Sequence, residues 1–196
     1  MPYLYSPLKE LGEISQGLSL SRYKDERGSP ERIVNASDLE PLQLEGSLSQ
    51  TQLSLSNTEQ YQRYRLHIND VVIAIRGLLL KASVITAKSQ GSIAGQNVAF
   101  FRPKLDLINP VYLALLLRSK WLERSRNSFY EQSSTIPLIR ISQLRDFKIP
   151  VPEKSLQDKL AYLFLTVERE TKITIKALEI RQKLAELVLV QLLEGE

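Results

Sequence analysis

Cysteine is absent from the 196 residues. That excludes a disulfide framework, a thiolate-bound zinc or iron–sulfur site and a thiol nucleophile, and it fits a reducing compartment. Histidine occurs once, as His67, too few for a histidine-based metal centre. No run of 18 residues lacks charge, and Met1-Pro2-Tyr3-Leu4-Tyr5-Ser6-Pro7 is no basic region followed by an apolar one. The expectation is a soluble, cytoplasmic protein with no membrane contact.

The motifs of common catalytic machinery are missing as well. The eight glycines form neither a GxGxxG turn nor a GxxxxGK[ST] loop. Neither Asp70 nor Asp106 is followed by the acid-x-Lys pattern of a metal-dependent nuclease. Glu10/Glu13 and Asp25/Glu26 lie in polar segments and read as solvated surface. Asn109-Pro110-Val111-Tyr112 lacks the second proline of an amino-methyltransferase loop and reads as a helix cap with proline at the first helical position. The chain is expected to be no enzyme and to need no cofactor or metal.

What is present divides in two. Hydrophobic residues make up 43% of the chain, enough for a core, and the net charge is +4 with a pI near 9.2. Residues 152–196 hold seven basic and eight acidic side chains, so residues 1–151, with 19 basic and 14 acidic, hold all the excess positive charge.

From Ser155 to Glu194 there is neither proline nor glycine. Apolar residues recur at Leu156, Leu160, Leu163 and Val167, slip near Glu170, and resume at Ile173, Ala177, Ile180, Leu184 and Leu187. This stripe predicts one long helix capped at Ser155, whose seam awaits a partner helix. Leu187-Val188-Leu189-Val190 and Leu192-Leu193 are apolar on more than one face, which suggests more than one neighbour.

The first part is mixed. Val71–Ile75 reads as a buried strand, Lys81–Ala87 as the next, and Ser92–Phe101 as a third entered through Gly95. Asn109-Pro110 opens a helix expected to run four to five turns into the basic tail Arg118, Lys120, Arg124 and Arg126. Leu138–Ile141 and Phe147–Val151 read as strands flanking one helical turn capped by Ser142, and residues 15–65 as loops with a few edge strands. The fold class expected is α+β: a β-rich domain over residues 1–152, then one long coiled-coil helix over residues 153–196.

The order of segments resembles a type I restriction-modification specificity subunit, as one target-recognition domain followed by one spacer helix. The resemblance rests on Leu11-Gly12-Glu13-Ile14, Ile33-Val34-Asn35-Ala36-Ser37-Asp38-Leu39, Asn69-Asp70-Val71-Val72-Ile73-Ala74-Ile75-Arg76-Gly77 and Gly95-Gln96-Asn97-Val98-Ala99-Phe100. It continues through Ser134-Thr135-Ile136-Pro137, Ile141 and Leu144 to Lys148-Ile149-Pro150-Val151-Pro152, and ends on Gln157 at the opening of the helix. The family usually has Gly-Asp where this chain has Asn69-Asp70, and Glu-Gln where it has Leu156-Gln157. Its members typically carry two recognition domains and two spacer helices in tandem, whereas no internal repeat occurs here.

The resemblance implies a half-length prokaryotic specificity subunit that binds double-stranded DNA and positions separate methyltransferase (modification) and restriction subunits. It also implies a homodimer, joined antiparallel through the stripe from Leu156 to Leu187 and reading a symmetric bipartite target. A protein-interaction adaptor working through the long helix is the alternative. Proposed on physical grounds as DNA contacts are Arg22, Tyr23, Lys24 and Arg27 in a basic-aromatic loop and Arg76 with Lys81 at a strand turn. Gln96 and Asn97 are suited to adenine, and Ser133, Ser134, Thr135 and Arg140 form a further polar group.

Overall fold

The computed structural model describes residues 3–46, 48–53, 61–77, 81–125 and 138–195, with the backbone alone given for Arg22, Lys24, Asp25, Glu26, Glu123 and Ser125. By contacts the chain divides into Met1–Ala161 and Tyr162–Glu196.

The larger unit is built on a five-stranded sheet. Its strands are β2 (Gly12–Gln16), β9 (Val98–Pro103), β6 (Val71–Ala74), β7 (Ala82–Ile85) and β4 (Gln43–Leu44), in that order across the sheet. β6, the central strand, is buried at every position, as its continuous β-branched run predicts. It pairs antiparallel with β9 (Val72 opposite Phe100) and with β7 (Val72 opposite Ser83), while β4 joins β7 in parallel. Helix α2 (Pro110–Leu117), apolar on all sides, packs on β6 and β7. Its cap is the expected one: Asn109 Oδ1 accepts from the N–H groups of Val111 at 2.8 Å and Tyr112 at 3.1 Å.

The helix stops earlier than the sequence predicts. It ends at Leu117, and α3 (Lys120–Ser125) starts after a break at Arg118–Ser119. Ser119 Oγ donates back to Leu116 O at 2.7 Å, satisfying a terminal carbonyl, and Arg118 turns aside to bind the carbonyls of Ala82 in β7 and of Glu40.

The second sheet lies where the sequence suggested loops with edge strands. It has the order β5 (Ser49–Leu53), β3 (Lys24–Val34) and β8 (Ile93–Ala94). β3 is 11 residues long but hides its periodicity behind charges, Gly28 and Pro30. Lys24 and Ser29 both face Leu53, so a bulge separates them, and a Cβ on Gly28 would stand 1.9 Å from Leu53 O. Pro30 is tolerated because β8 pairs with β3 only at Ile33 and Val34. The expected strand Ser92–Phe101 is likewise divided, into β8 and β9, by a turn at Gly95–Asn97.

A two-stranded ribbon, β1 (Leu4–Pro7) with β10 (Lys148–Val151), places the N-terminal segment beside the strand that leads into the long helix. Short α1 (Leu8–Leu11) follows β1. Tyr112 donates its hydroxyl to Pro150 O at 2.9 Å, and burial pushes the phenol up to about 12. Before β10, Leu138 bridges Arg76, but Ile141 opens helix α4 (Ile141–Asp146) instead of ending a strand. Its N-cap is Arg140, whose N–H donates to Gln143 Oε1 at 2.9 Å, and not Ser142.

Helix α5 runs from Lys154 to Glu194. Ser155 lies inside the first turn, where the Leu156 and Gln157 N–H groups already donate to Glu153 O. The opening turns, to Ala161, belong to the larger unit: Gln157 and Ala161 are buried there, and Leu156 and Leu160 half-buried. In the smaller unit, taken by itself, Leu163, Val167, Ile173, Ile180, Leu184 and Leu187 are 53–61% exposed and Ala177 half-buried.

Candidate nucleic-acid interface

Strand directions gather residues distant in sequence at one end of the five-stranded sheet. β2 and β6 finish there, at Gln16 and Ala74, and β9 and β7 start there, at Val98 and Ala82. The loops beyond carry Arg76, Lys81, Gln96 and Asn97. Main-chain hydrogen bonds fix the arrangement: Ile75 N–H donates to Asn97 O at 3.1 Å, Ile139 N–H to Ile75 O at 2.9 Å, and Ala74 N–H to Lys81 O at 2.8 Å. The segments 74–76, 95–97 and 138–140 therefore lie side by side.

Gly17 closes the same end. Leu18 bridges Gly95 in parallel, and a Cβ on Gly17 would stand 1.9 Å from Gly95 O, a distance only glycine allows. Asn35 borders it, bonded through Nδ2 to Ser49 Oγ at 3.1 Å, while Asp38 Oδ2 accepts the Asn35 N–H at 2.7 Å. The Ile33–Leu39 motif is thus a strand end followed by a single 3-10 turn.

The polar side chains at this end differ in their exposure. Arg76, Gln96 and Arg140 are exposed, and Asn97 is half-buried. Lys81 is paired with Glu40, whose carboxyl is held below the usual carboxylate range chiefly by that hydrogen bond. Arg118, which the sequence reading left in a helical tail, donates to Ala82 O at 3.3 Å and to Glu40 O at 2.6 Å, adding a cation here. The signal for it was the end of the apolar run at Leu117.

Arg22, Tyr23, Lys24 and Arg27 belong instead to the second sheet and the turn before it. Arg22 closes a 3-10 turn (Leu20–Arg22) and Lys24 and Arg27 lie on β3, Arg27 being exposed. Tyr23 turns inward: its ring is half-buried and meets the edge of the buried Tyr61 ring at 6.2 Å. Ser133, Ser134 and Thr135 lie outside the described residues.

The opposite end of the sheet is occupied by a structural ion pair. Asp70, 1% exposed, accepts from Arg102 Nε and Nη2, each at 3.0 Å, and from His67 N–H at 2.8 Å. Among the described residues no group of three acidic, histidine or cysteine side chains is placed to hold a metal, and no helix is long and apolar enough to cross a membrane.

The model of the type I restriction modification DNA specificity domain family matches residues 3–186. A putative type I restriction enzyme MjaX specificity subunit from Methanocaldococcus jannaschii is 26% identical over 184 residues, covering 90% of this chain and 42% of that one. The fold is similar to that of a type I restriction-modification S subunit from M. genitalium, with TM-score 0.60, 16% identity, and 98% of this chain and 46% of that one covered. It is also similar to an HsdS subunit from Thermoanaerobacter tengcongensis, with TM-score 0.60, 17% identity and coverage of 90% and 40%. The chain spans less than half the length of each.

Proposed function

The chain belongs to the type I restriction modification DNA specificity domain family, and from that premise we propose that it is a half-length specificity subunit. It recognises double-stranded DNA with the sheet end that carries Arg76, Lys81, Gln96, Asn97, Arg118 and Arg140, and has no catalytic activity of its own. The observation that supports this reading is the convergence of these six positions, from four separate stretches of chain, at one end of the five-stranded sheet. Arginine pairs with guanine, and glutamine and asparagine with adenine, through two hydrogen bonds each, while lysine and further arginines hold phosphates. The basic segment from Arg22 to Arg27, together with Ser133, Ser134 and Thr135, is proposed to extend the contact along the duplex.

Two copies of the chain are proposed to join through Leu156, Leu160, Leu163, Val167, Ile173, Ala177, Ile180, Leu184 and Leu187. The homodimer would present two recognition domains to a symmetric target. Methyltransferase and restriction subunits would dock on this dimer in the cytoplasm of a prokaryotic cell.

Binding to randomised duplex libraries, followed by fluorescence anisotropy on the selected site, tests the reading. Affinity should fall steeply with salt, as expected when several phosphates are neutralised. Arg76→Ala should cost about 1–3 kcal/mol on the selected site and less on random DNA. Salt-independent or absent binding would refute the DNA reading and favour the adaptor. Equal losses on both DNAs would move Arg76 to the phosphate backbone.

A further inference from the structure

The apolar stripe of α5 reads the same in both directions. Leu156, Leu160, Leu163 and Val167 are separated by four, three and four residues, and so are Ile173, Ala177, Ile180 and Leu184. Glu170 stands three residues from both Val167 and Ile173, where an unbroken heptad would need three on one side and four on the other. The eight positions are therefore mirror-symmetric about Glu170.

In a parallel pair each position meets its own copy, so an unbroken heptad serves best and the interruption is only a defect. An antiparallel pair of identical helices is different, because its two-fold axis reflects every position through one residue. A seam that closes on itself must then be palindromic. With Leu156 and Leu163 as d positions and Leu160 and Val167 as a positions, the break makes Ile173 and Ile180 d and Ala177 and Leu184 a. Reflection sets Leu156 opposite Leu184, Leu160 opposite Ile180, Leu163 opposite Ala177 and Val167 opposite Ile173. Each layer joins an a position to a d position.

We propose that the antiparallel pair of α5 helices, which the family resemblance already implies, has its two-fold axis at Glu170, with the four layers just named on each side of it. The inference rests on the homodimer reading above and adds its register. The exposure of Leu163, Val167, Ile173, Ile180 and Leu184, each 53–60% within their own chain, leaves these positions uncovered. The reflection of Leu187 falls on Glu153, which precedes the helix. In this register Leu187 therefore drops out of the seam named under the proposed function, and residues from it onward lie beyond the paired segment, where the stripe gives way to apolar residues on several faces.

The absence of native cysteine makes the register directly testable by single-cysteine variants at these helix positions. Glu170→Cys, Leu163→Cys and Ala177→Cys are purified as full chains, weighed by light scattering, and oxidised singly or as an equimolar mixture of the last two. Position 170 should link to itself in most of the protein. Two copies of position 163 would lie about 21 Å apart along the axis, too far for a disulfide, so Leu163→Cys alone should link at least tenfold less. Mixing Leu163→Cys with Ala177→Cys should restore the link. A dimeric mass with self-linking at 163, or with no link in the mixture, overturns the register and leaves the homodimer standing. A mass near 22.4 kDa at every concentration overturns both.

Discussion

Gln157 is the place to test how the long helix is rooted. Its side chain is 1% exposed, and all its polar atoms are used: Oε1 accepts from Asn109 N–H at 2.8 Å, and Nε2 donates to Pro152 O at 2.8 Å and Leu107 O at 3.1 Å. One amide therefore ties the first turn of α5 to the cap of α2 and to the end of the β10 segment. Gln157→Leu keeps the volume but strands Pro152 O in a buried site and Asn109 N–H in a half-buried one. Each stranded group costs about 1–3 kcal/mol, while Leu107 O lies beside an exposed side chain and regains water. After about 1 kcal/mol is returned by the better burial of leucine, the net loss should be about 1–5 kcal/mol. Urea unfolding of the full chain at fixed concentration measures it. Asp158→Asn is the control: it touches only the exposed bond from Asn109 Nδ2 and the exposed pair with Lys154 at 3.5 Å, and should cost under about 1 kcal/mol. A Gln157→Leu variant within about 0.5 kcal/mol of the parent would refute the argument. Gln157→Glu adds a sign test. Its buried carboxyl must stay protonated to donate to Pro152 O, so its folded-state pKa is raised. The variant's stability should be fullest below the unfolded carboxylate pKa and decline as pH rises through the folded value.

Glu40→Gln releases Lys81 at the proposed DNA edge, so anisotropy titrations should give tighter binding and a steeper salt slope, by roughly one phosphate contact. Removing Asp70 as Asp70→Ala leaves the His67 N–H without its acceptor and the Arg102 guanidinium with only the Arg65 carbonyl at 3.4 Å. Because the Arg102 side chain is 38% exposed, the loss in urea unfolding should be near the lower end of the buried-pair range, about 3 kcal/mol. Asn69 sits at φ 72°, in the left-handed region, so Asn69→Val should cost about 1–2 kcal/mol and Asn69→Gly little. Equal stabilities for those two variants would show that the backbone relaxes there.

Legibility tracked how local the cause of each element was. β6 was visible because its burial on both faces requires an unbroken β-branched run, and the cap of α2 because Asn-Pro satisfies its own helix end. The long helix declared itself by lacking breakers over 40 residues. β3 was hidden because its partners, Leu53 and Ile93, are remote in sequence, and its bulge admits Gly28 and Pro30. The break at Arg118 was invisible for the same reason: carbonyls of Ala82 and Glu40 take the guanidinium away from its helix. At the candidate interface the residue types were readable, but which of them meet was not. Tyr23 and Gln96 look equally polar in sequence, yet the Tyr61 ring draws one inward and a turn leaves the other exposed.

The sheet end that gathers Arg76, Gln96 and Arg140 is fastened by main-chain hydrogen bonds from Ile75 to Asn97, from Ile139 to Ile75 and from Ala74 to Lys81. Scaffold and proposed reading surface are thus made of different atoms. The exposed side chains at 76 and 96 can change without removing any of these bonds, so the proposed DNA target could be rewritten at small cost in stability. In the proposed symmetric pair each such change would be made twice, once per half-site.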